Sequence, residues 1–334
     1  MAVLKNHIQV TLNELEENLS TFKLKEYIQE CENEFDHQVL DIAQTVGDNK
    51  NIRAIFISGP TASGKTTFNH KLGKALNDKG IDTVSMSLDD YYFSHKFETD
   101  VYGRHDYESL DTLDVELILS QIRSLVSGKS VIIPRFDFLT KTRIEDKSRE
   151  TKLPDRGVLI VEGLHGLSSS ISGAITDDKW LGVFIMPYAT LNDDYRLLDS
   201  RDVRILRRVA RDNLNRGTDP LSTIDYWPML DYAEQTNFAE YLMNADVYVN
   251  SAMSYEFYCV APFAGAMISK SLSDYENGVT YISRLTSTGG FAQLDLALEE
   301  ARRLSKAACG IPSIGLDKVP PGSLLNEFIH TENF

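Results

Sequence analysis

"FISGPTASGKTTF", residues 56–68, sets small and hydroxylated residues around one lysine immediately after an apolar run. Gly59, Gly64, Lys65 and Thr66 have the spacing G-x-x-x-x-G-K-[ST], with strand character before it and helix character after it. Glycines at those positions let successive backbone N–H groups turn inward, making a concave anion nest at the start of a helix. Lys65 adds a full positive charge, and the hydroxyl of Thr66 suits the Mg2+ that accompanies a nucleoside triphosphate. Gly59, Thr61, Ala62, Ser63, Gly64, Lys65, Thr66 and Thr67 are therefore the expected phosphate-binding residues, with ATP and Mg2+ as the ligands. The plainer alternative, a glycine turn beside a solvated lysine, does not explain the strand-to-helix context.

From residue 52 onward, short apolar runs alternate with helical segments: "IRAIFIS", residues 66–77, "DTVSMSL", residues 113–126, "SVIIPRF", "GVLIVEG", "LGVFIMP" and finally "ADVYVNS". That alternation predicts an α/β fold of the P-loop NTPase type, a parallel sheet with helices on both faces. Residues 1–50 read as a helical extension, with Leu12, Leu15, Leu19, Phe22, Leu24 and Ile28 at roughly helical spacing. Residues 51–252 form the expected kinase-like core. Residues 253–334 read as a mixed extension containing the helix "FAQLDLALEEARRLSKAACG".

The formal charge of −15 opposes a nucleic-acid partner. No apolar run approaches the roughly 18 to 20 residues of a spanning helix, and residues 1–10 lack a signal-like pattern. The expectation is a cytoplasmic protein with no membrane partner, acting on a small molecule. Its three cysteines, Cys31, Cys259 and Cys309, are too scattered for a disulfide framework or a metal cluster. The flanking extensions are expected either to dock a second copy of the chain, giving a homo-oligomer, or to cover the sheet edge.

A P-loop serves switches, motors and kinases alike, so the remaining charged groups choose among them. No Asn-Lys-x-Asp stretch of the kind that reads guanine occurs. Asp89 and Asp90 follow the strand "TVSMSL", and in an open parallel sheet the ligand crevice lies at the carboxyl ends of the strands. Asp89 is the expected general base toward a substrate hydroxyl, and Asp90 the more natural turn or cap residue. Glu162 ends another strand and is a second metal candidate, against a structural hydrogen bond in the sheet.

In "RDVRILRRVARDNLNRG", residues 201–217, a step of about 100° per residue gathers Arg201, Arg204, Arg207, Arg208 and Arg211 on an arc of about 120°. Such a stripe is usually a solvated face. Beside a phosphate nest in an acidic chain it is read as a closing lid whose arginines neutralise transferring phosphate, with Arg216 at the hinge side.

These landmarks, "GPTASGKTTF", "SLDDYY", "HDYESLDTLD", "GKSVIIPRFDFLTKTR", "LIVEGLHGL" and "RRVARDNLNRG", run in one order over about residues 52–251, and the chain resembles the uridine kinase and phosphoribulokinase family of P-loop kinases. The later "VNSAMSYE" and "SLLNEFI" resemble a bacterial subgroup of uridine kinase-like proteins, which often carry an N-terminal synthetase-like region not expected in these residues. The resemblance implies Asp89 as base toward a sugar hydroxyl, and Arg208, Arg211 and Arg216 as lid arginines. It implies a nucleoside pocket lined by Tyr92, Asp106 and Phe136, with Asp137 and Arg143 shaping the acceptor side.

The chain departs from the family pattern where Lys141 stands for a base-reading histidine, Tyr107-Glu108 for histidine-proline, and Arg135 for an apolar residue. The expected activity is ATP-dependent phosphorylation of a hydroxyl, most directly the 5′-hydroxyl of a nucleoside. Lys141 and Arg135 keep a sugar-phosphate or pantothenate-like kinase open, and a nucleotide-sensing module without transfer is the alternative outside enzymes.

Overall fold

The computed structural model describes residues 7–19, 23–94, 97–138 and 140–330; Phe22 lies outside them. β1 (Ile8–Thr11) leads into α1 (Leu12–Asn18) and the long α2 (Leu24–Asp48). β2 (Ala54–Ser58), α3 (Lys65–Asp78), β3 (Thr83–Ser87) and α4 (Val115–Val126) follow. Four three-residue strands, β4 (Ser130–Ile132), β5 (Arg135–Asp137), β6 (Thr142–Ile144) and β7 (Glu150–Lys152), precede β8 (Val158–Glu162) and the short α5 (Ser169–Ser172). β9 (Trp180–Met186), β10 (Ala189–Asn192), β11 (Arg196–Leu198), α6 (Ser200–Arg216), α7 (Pro220–Asn244) and β12 (Val247–Asn250) come next. The chain continues through α8 (Glu256–Glu276), α9 (Leu294–Cys309) and α10 (Asn326–Ile329).

The central sheet has the order β12-β9-β2-β8-β3, and every pairing in it is parallel. β2 and β8 are buried throughout, so alternate residues serve two cores. Ile55 and Ile57 join the side packed by α2, α3, α6 and α8, whereas Ala54 and Phe56 join the side packed by α4 and Tyr241 of α7. Helices cover both faces, as the alternating runs required.

Two expectations change. "SVIIPRF" is not a sheet strand, because Pro134, which lacks an N–H, divides it: β4 pairs with β7 and β5 with β6, each outside the central sheet. The N-terminal extension is not wholly helical, because β1 runs parallel to β10 in a small sheet completed by β11. The "QVT" alternation of β1 is too short to be read without its partner strand. No helix among the described residues is long and apolar enough to cross a membrane. Cys31 and Cys259 are buried and Cys309 exposed, all as free thiols.

Candidate active site

The sheet register assembles the site. β2 delivers the chain into the phosphate loop, its neighbour β8 ends on Glu162, and Glu162 sits opposite Ser87 at the end of β3, two residues before Asp89. Three carboxyl ends of adjacent strands therefore open into one cavity of about 420 Å³, whose walls include Thr61 to Thr66, Asp89 and Glu162.

The loop has the backbone of an anion nest: Ala62 and Gly64 are left-handed, with φ of 57° and 83°, ahead of α3. Gly59 is forced by a close approach, since a Cβ there would lie 2.0 Å from the carbonyl oxygen of Ile185. The Lys65 ammonium donates to the carbonyls of Gly59 at 3.0 Å and Pro60 at 2.9 Å. Burial pulls its pKa down, while Glu162 and Asp89 push it up. Ser63 Oγ is buried without a hydrogen-bond partner among the described residues. A nest of inward amides, a lysine and an orphaned hydroxyl fits the phosphates of a nucleotide. Thr66 and Glu162 face the same cavity and suit Mg2+, which commonly takes one or two protein oxygens and fills its sphere with phosphate and water. Burial, with help from Asp89, raises the Glu162 pKa against the lowering effect of Lys65.

The arginine helix differs from the expected lid. α6 packs against α7, α8 and α10, and Arg204, Arg207 and Arg208 are all buried. Arg201 pairs with Asp231 at 3.0 Å and Glu300 at 2.6 Å, Arg204 pairs with Glu234, and Arg207 pairs with Glu256 at 2.7 Å. These partners come from segments far along the chain, which the local stripe could not reveal. Two of the arginines instead hold the phosphate loop from behind: Arg204 donates to the carbonyl of Thr61 at 3.2 Å, and Arg207 to that of Ala62 at 3.3 Å. Carbonyls held outward leave the amides facing in. Arg208, Arg211 and Arg216 do line the cavity, grouped around Asp212. Burial alone would raise the Asp212 pKa, yet these three guanidinium groups hold its carboxyl well below the usual carboxylate range.

Of the residues expected on the acceptor side, Tyr92, Phe136 and Lys141 line the cavity. Tyr92 packs against Phe136 and Phe138 with ring centroids 5.3 and 6.2 Å away. Asp106, Asp137 and Arg143 are not in its walls. Asp106 is used locally, accepting from the N–H groups of Glu108 at 2.8 Å and Ser109 at 2.9 Å. Asp137 caps the turn at Thr140, and Arg143 pairs with Asp114 at 2.9 Å. Arg135 is exposed outside the cavity, and Asp90 ties the Phe136 N–H and Arg149 together.

The sequence reading missed the carboxylate that takes the inward position. Glu108 faces the cavity, with its N–H held by Asp106 and its carbonyl contacted by His165 Nε2 at 3.0 Å. Burial lifts its pKa to about 7, against the lowering effect of Arg208. The only signal was the departure at Tyr107-Glu108. Also missed were Arg284, Leu285, Thr286 and Glu327, which the C-terminal extension contributes to the walls. Glu327 accepts from Thr67 Oγ1 at 3.0 Å, and Leu324 fills the space where a Gly64 Cβ would stand.

The family model for the Phosphoribulokinase / Uridine kinase family matches residues 54–254, from the first core strand to just past the last. The chain belongs to this family. Within it, a uridine kinase of Macrococcus caseolyticus is 29% identical over 52% of this chain and 75% of its own length. A uridine kinase of Staphylococcus aureus is 30% identical over 52% of this chain and 74% of its own. A solved structure described as a possible uridine kinase from Bacillus stearothermophilus covers 65% of this chain and 100% of its own at 20% identity, with a TM-score of 0.44. The family is one of kinases and implies ATP, typically with Mg2+. The match ends at residue 254, so Arg284 and Glu327, which line the cavity, lie outside the matched segment.

Proposed function

We propose that this member of the family is an ATP-dependent kinase that phosphorylates a hydroxyl of a small molecule, of which the 5′-hydroxyl of a nucleoside is the leading case. The observation that supports this is the common cavity of Lys65, at the nest that follows β2, and Asp89, just beyond the end of β3, with β8 between the two strands.

ATP supplies the γ-phosphoryl group; Thr66 and Glu162 would hold Mg2+, which would offset the charge of the phosphates. Lys65 leaves its loop carbonyls and donates to the phosphate oxygens, while Arg208, Arg211 and Arg216 stabilise the charge that builds on the transferring group. Asp89 accepts the proton of the acceptor hydroxyl as its oxygen bonds to phosphorus and ADP departs. Glu108 accepts a hydrogen bond from a neighbouring hydroxyl, and Tyr92, Phe136 and Phe138 supply flat apolar faces for a ring.

The test is acceptor-dependent ADP release with a panel of nucleosides, sugars and phosphosugars. ATP binding without release from any acceptor would leave a sensing module instead. Release with nucleosides that disappears in Asp89→Asn supports the proposed chemistry.

A further inference from the structure

The C-terminal segment meets the phosphate loop through a side chain that the transfer chemistry does not use. Glu327 of α10 faces the cavity, and its carboxylate makes two contacts. One oxygen accepts from Thr67 Oγ1 at 3.0 Å, and the other lies 3.9 Å from Nη1 of Arg211. Thr67 stands in the first turn of α3, ahead of Phe68, whose N–H donates to the Gly64 carbonyl at 3.0 Å, and the amides of that turn are the ones a helix leaves for an anion. Arg211 belongs to α6, where its Nε and Nη2 donate to Asp212 at 3.1 Å. A single carboxylate thus joins the start of the phosphate-binding helix to an arginine of the cavity wall.

The segment that carries Glu327 is itself fixed. Leu324, Leu325 and Phe328 are fully buried, and the Arg207 guanidinium that donates to the Ala62 carbonyl lies 5.0 Å from the centre of the Phe328 ring. Ser323 Oγ is 2.9 Å from Tyr255 Oη, which donates to Glu32 of α2. Asn326 Nδ2 donates to the carbonyls of Pro320 at 2.7 Å and Pro321 at 3.0 Å. The segment therefore touches the phosphate loop at two points, Leu324 against Gly64 and Glu327 against Thr67. A carboxylate beside a triphosphate opposes binding by Coulomb repulsion, whereas a carboxylate that aims a hydroxyl and a guanidinium favours it, so the two roles differ in sign.

We propose that Glu327 is a positioning residue for the triphosphate: it fixes Thr67 at the phosphate loop and aims Arg211 at the terminal phosphate, so donor binding depends on the C-terminal segment as well as on the loop. This rests on the kinase reading for the identity of the donor. It extends the donor site to a residue outside the matched segment, which ends at residue 254.

On the full chain, ATP and ADP affinities are measured by calorimetry with Mg2+, and kcat by coupled ADP release. Glu327→Gln keeps an acceptor oxygen for Thr67 and removes the charge opposite Arg211. It should leave ADP affinity nearly unchanged, lower the preference for ATP over ADP by on the order of 10-fold and lower kcat with it, the scale of a misaimed charged contact. Glu327→Ala, which also releases Thr67, should weaken both nucleotides. In double-mutant cycles, Arg211→Gln should cost less ATP preference in Glu327→Gln than in the parent, and Thr67→Val less nucleotide affinity in Glu327→Ala than in the parent. Asn326→Ser loosens the same segment at the Pro320 and Pro321 carbonyls and should lower the melting temperature while leaving the ATP preference intact.

An unchanged or raised ATP preference in Glu327→Gln overturns the proposal, a rise showing that the carboxylate acts only by repulsion. Additive cycles also overturn it, as does a loss of ATP preference in Asn326→Ser equal to that in Glu327→Gln, since either makes Glu327 a structural contact alone. Absence of ADP release from every acceptor overturns the kinase reading instead, and the binding cycles still decide the role of Glu327. Failure of the parent to bind ATP overturns both.

Discussion

Arg208 donates to Thr61 Oγ1 at 2.9 Å, so the arginine helix and the phosphate loop are joined before any ligand arrives. The same guanidinium donates to Asp212 at 3.1 Å and lies 5.5 Å above the Tyr226 ring, so its direction is fixed from several sides. A charge held in place in this way costs little to reorganise during transfer. Residues that act on ligands and residues that hold the frame should respond differently to substitution.

Lys65→Ala should lower turnover by a factor equivalent to about 3 to 4 kcal/mol of transition-state stabilisation, the size of losing one well-placed donor. Steady-state kinetics on the folded variant check this; a rate near that of the parent would remove Lys65 from the chemistry.

Asp89→Asn should leave ATP affinity nearly unchanged and cut kcat by on the order of 10² to 10⁴, the usual contribution of a general base. Calorimetric titration with ATP, run beside the kinetics, distinguishes this from a metal-binding role, in which both quantities would fall.

Arg207→Ala should destabilise the fold by about 3 to 5 kcal/mol, because it strands the buried Glu256 carboxylate. Urea unfolding measures the loss. An apolar pair, Arg207→Met with Glu256→Leu, should recover much of it, as expected of a framework pair.

Gly64→Ala should impose a left-handed backbone on alanine, about 1 to 2 kcal/mol, and drive its Cβ to 2.4 Å from Leu324 Cδ1. Adding Leu324→Ala should relieve the clash and leave the backbone cost, which thermal unfolding and ATP titration resolve as two separate decrements.

Glu108 carries a pKa raised from 4.5 to about 7 by burial, so the folded state holds its proton where the unfolded chain has released it. Its contribution to stability is fully present below the unfolded pKa and is lost as pH rises through about 7. His165, lowered to about 4 by burial, acts in the opposite sense, stabilising the fold as pH rises from 4 toward 6.5. The difference between the parent and Glu108→Gln isolates the first effect: the variant should gain on the parent as pH rises from about 4.5 to about 7. A pH-independent difference would show that Glu108 does not hold its proton.

The sequence by itself determined the phosphate loop, the strand ends that carry Asp89 and Glu162, and the two-faced parallel sheet. Loop geometry depends on consecutive residues, and a buried parallel strand is a continuous apolar run, so both are written locally. Only the tertiary structure decided which charges face the ligand space. Arg201, Arg204 and Arg207 share an arc with Arg208 and Arg211, yet Asp231 and Glu234 of α7, Glu256 of α8 and Glu300 of α9 claim them. Asp106 and Glu108 are two residues apart, and a turn aims one at backbone amides and the other into the cavity. Arg284 and Glu327 reach the site through long-range packing of the C-terminal segment, and a charge's role is set by what lies opposite it in space, which a local pattern does not record.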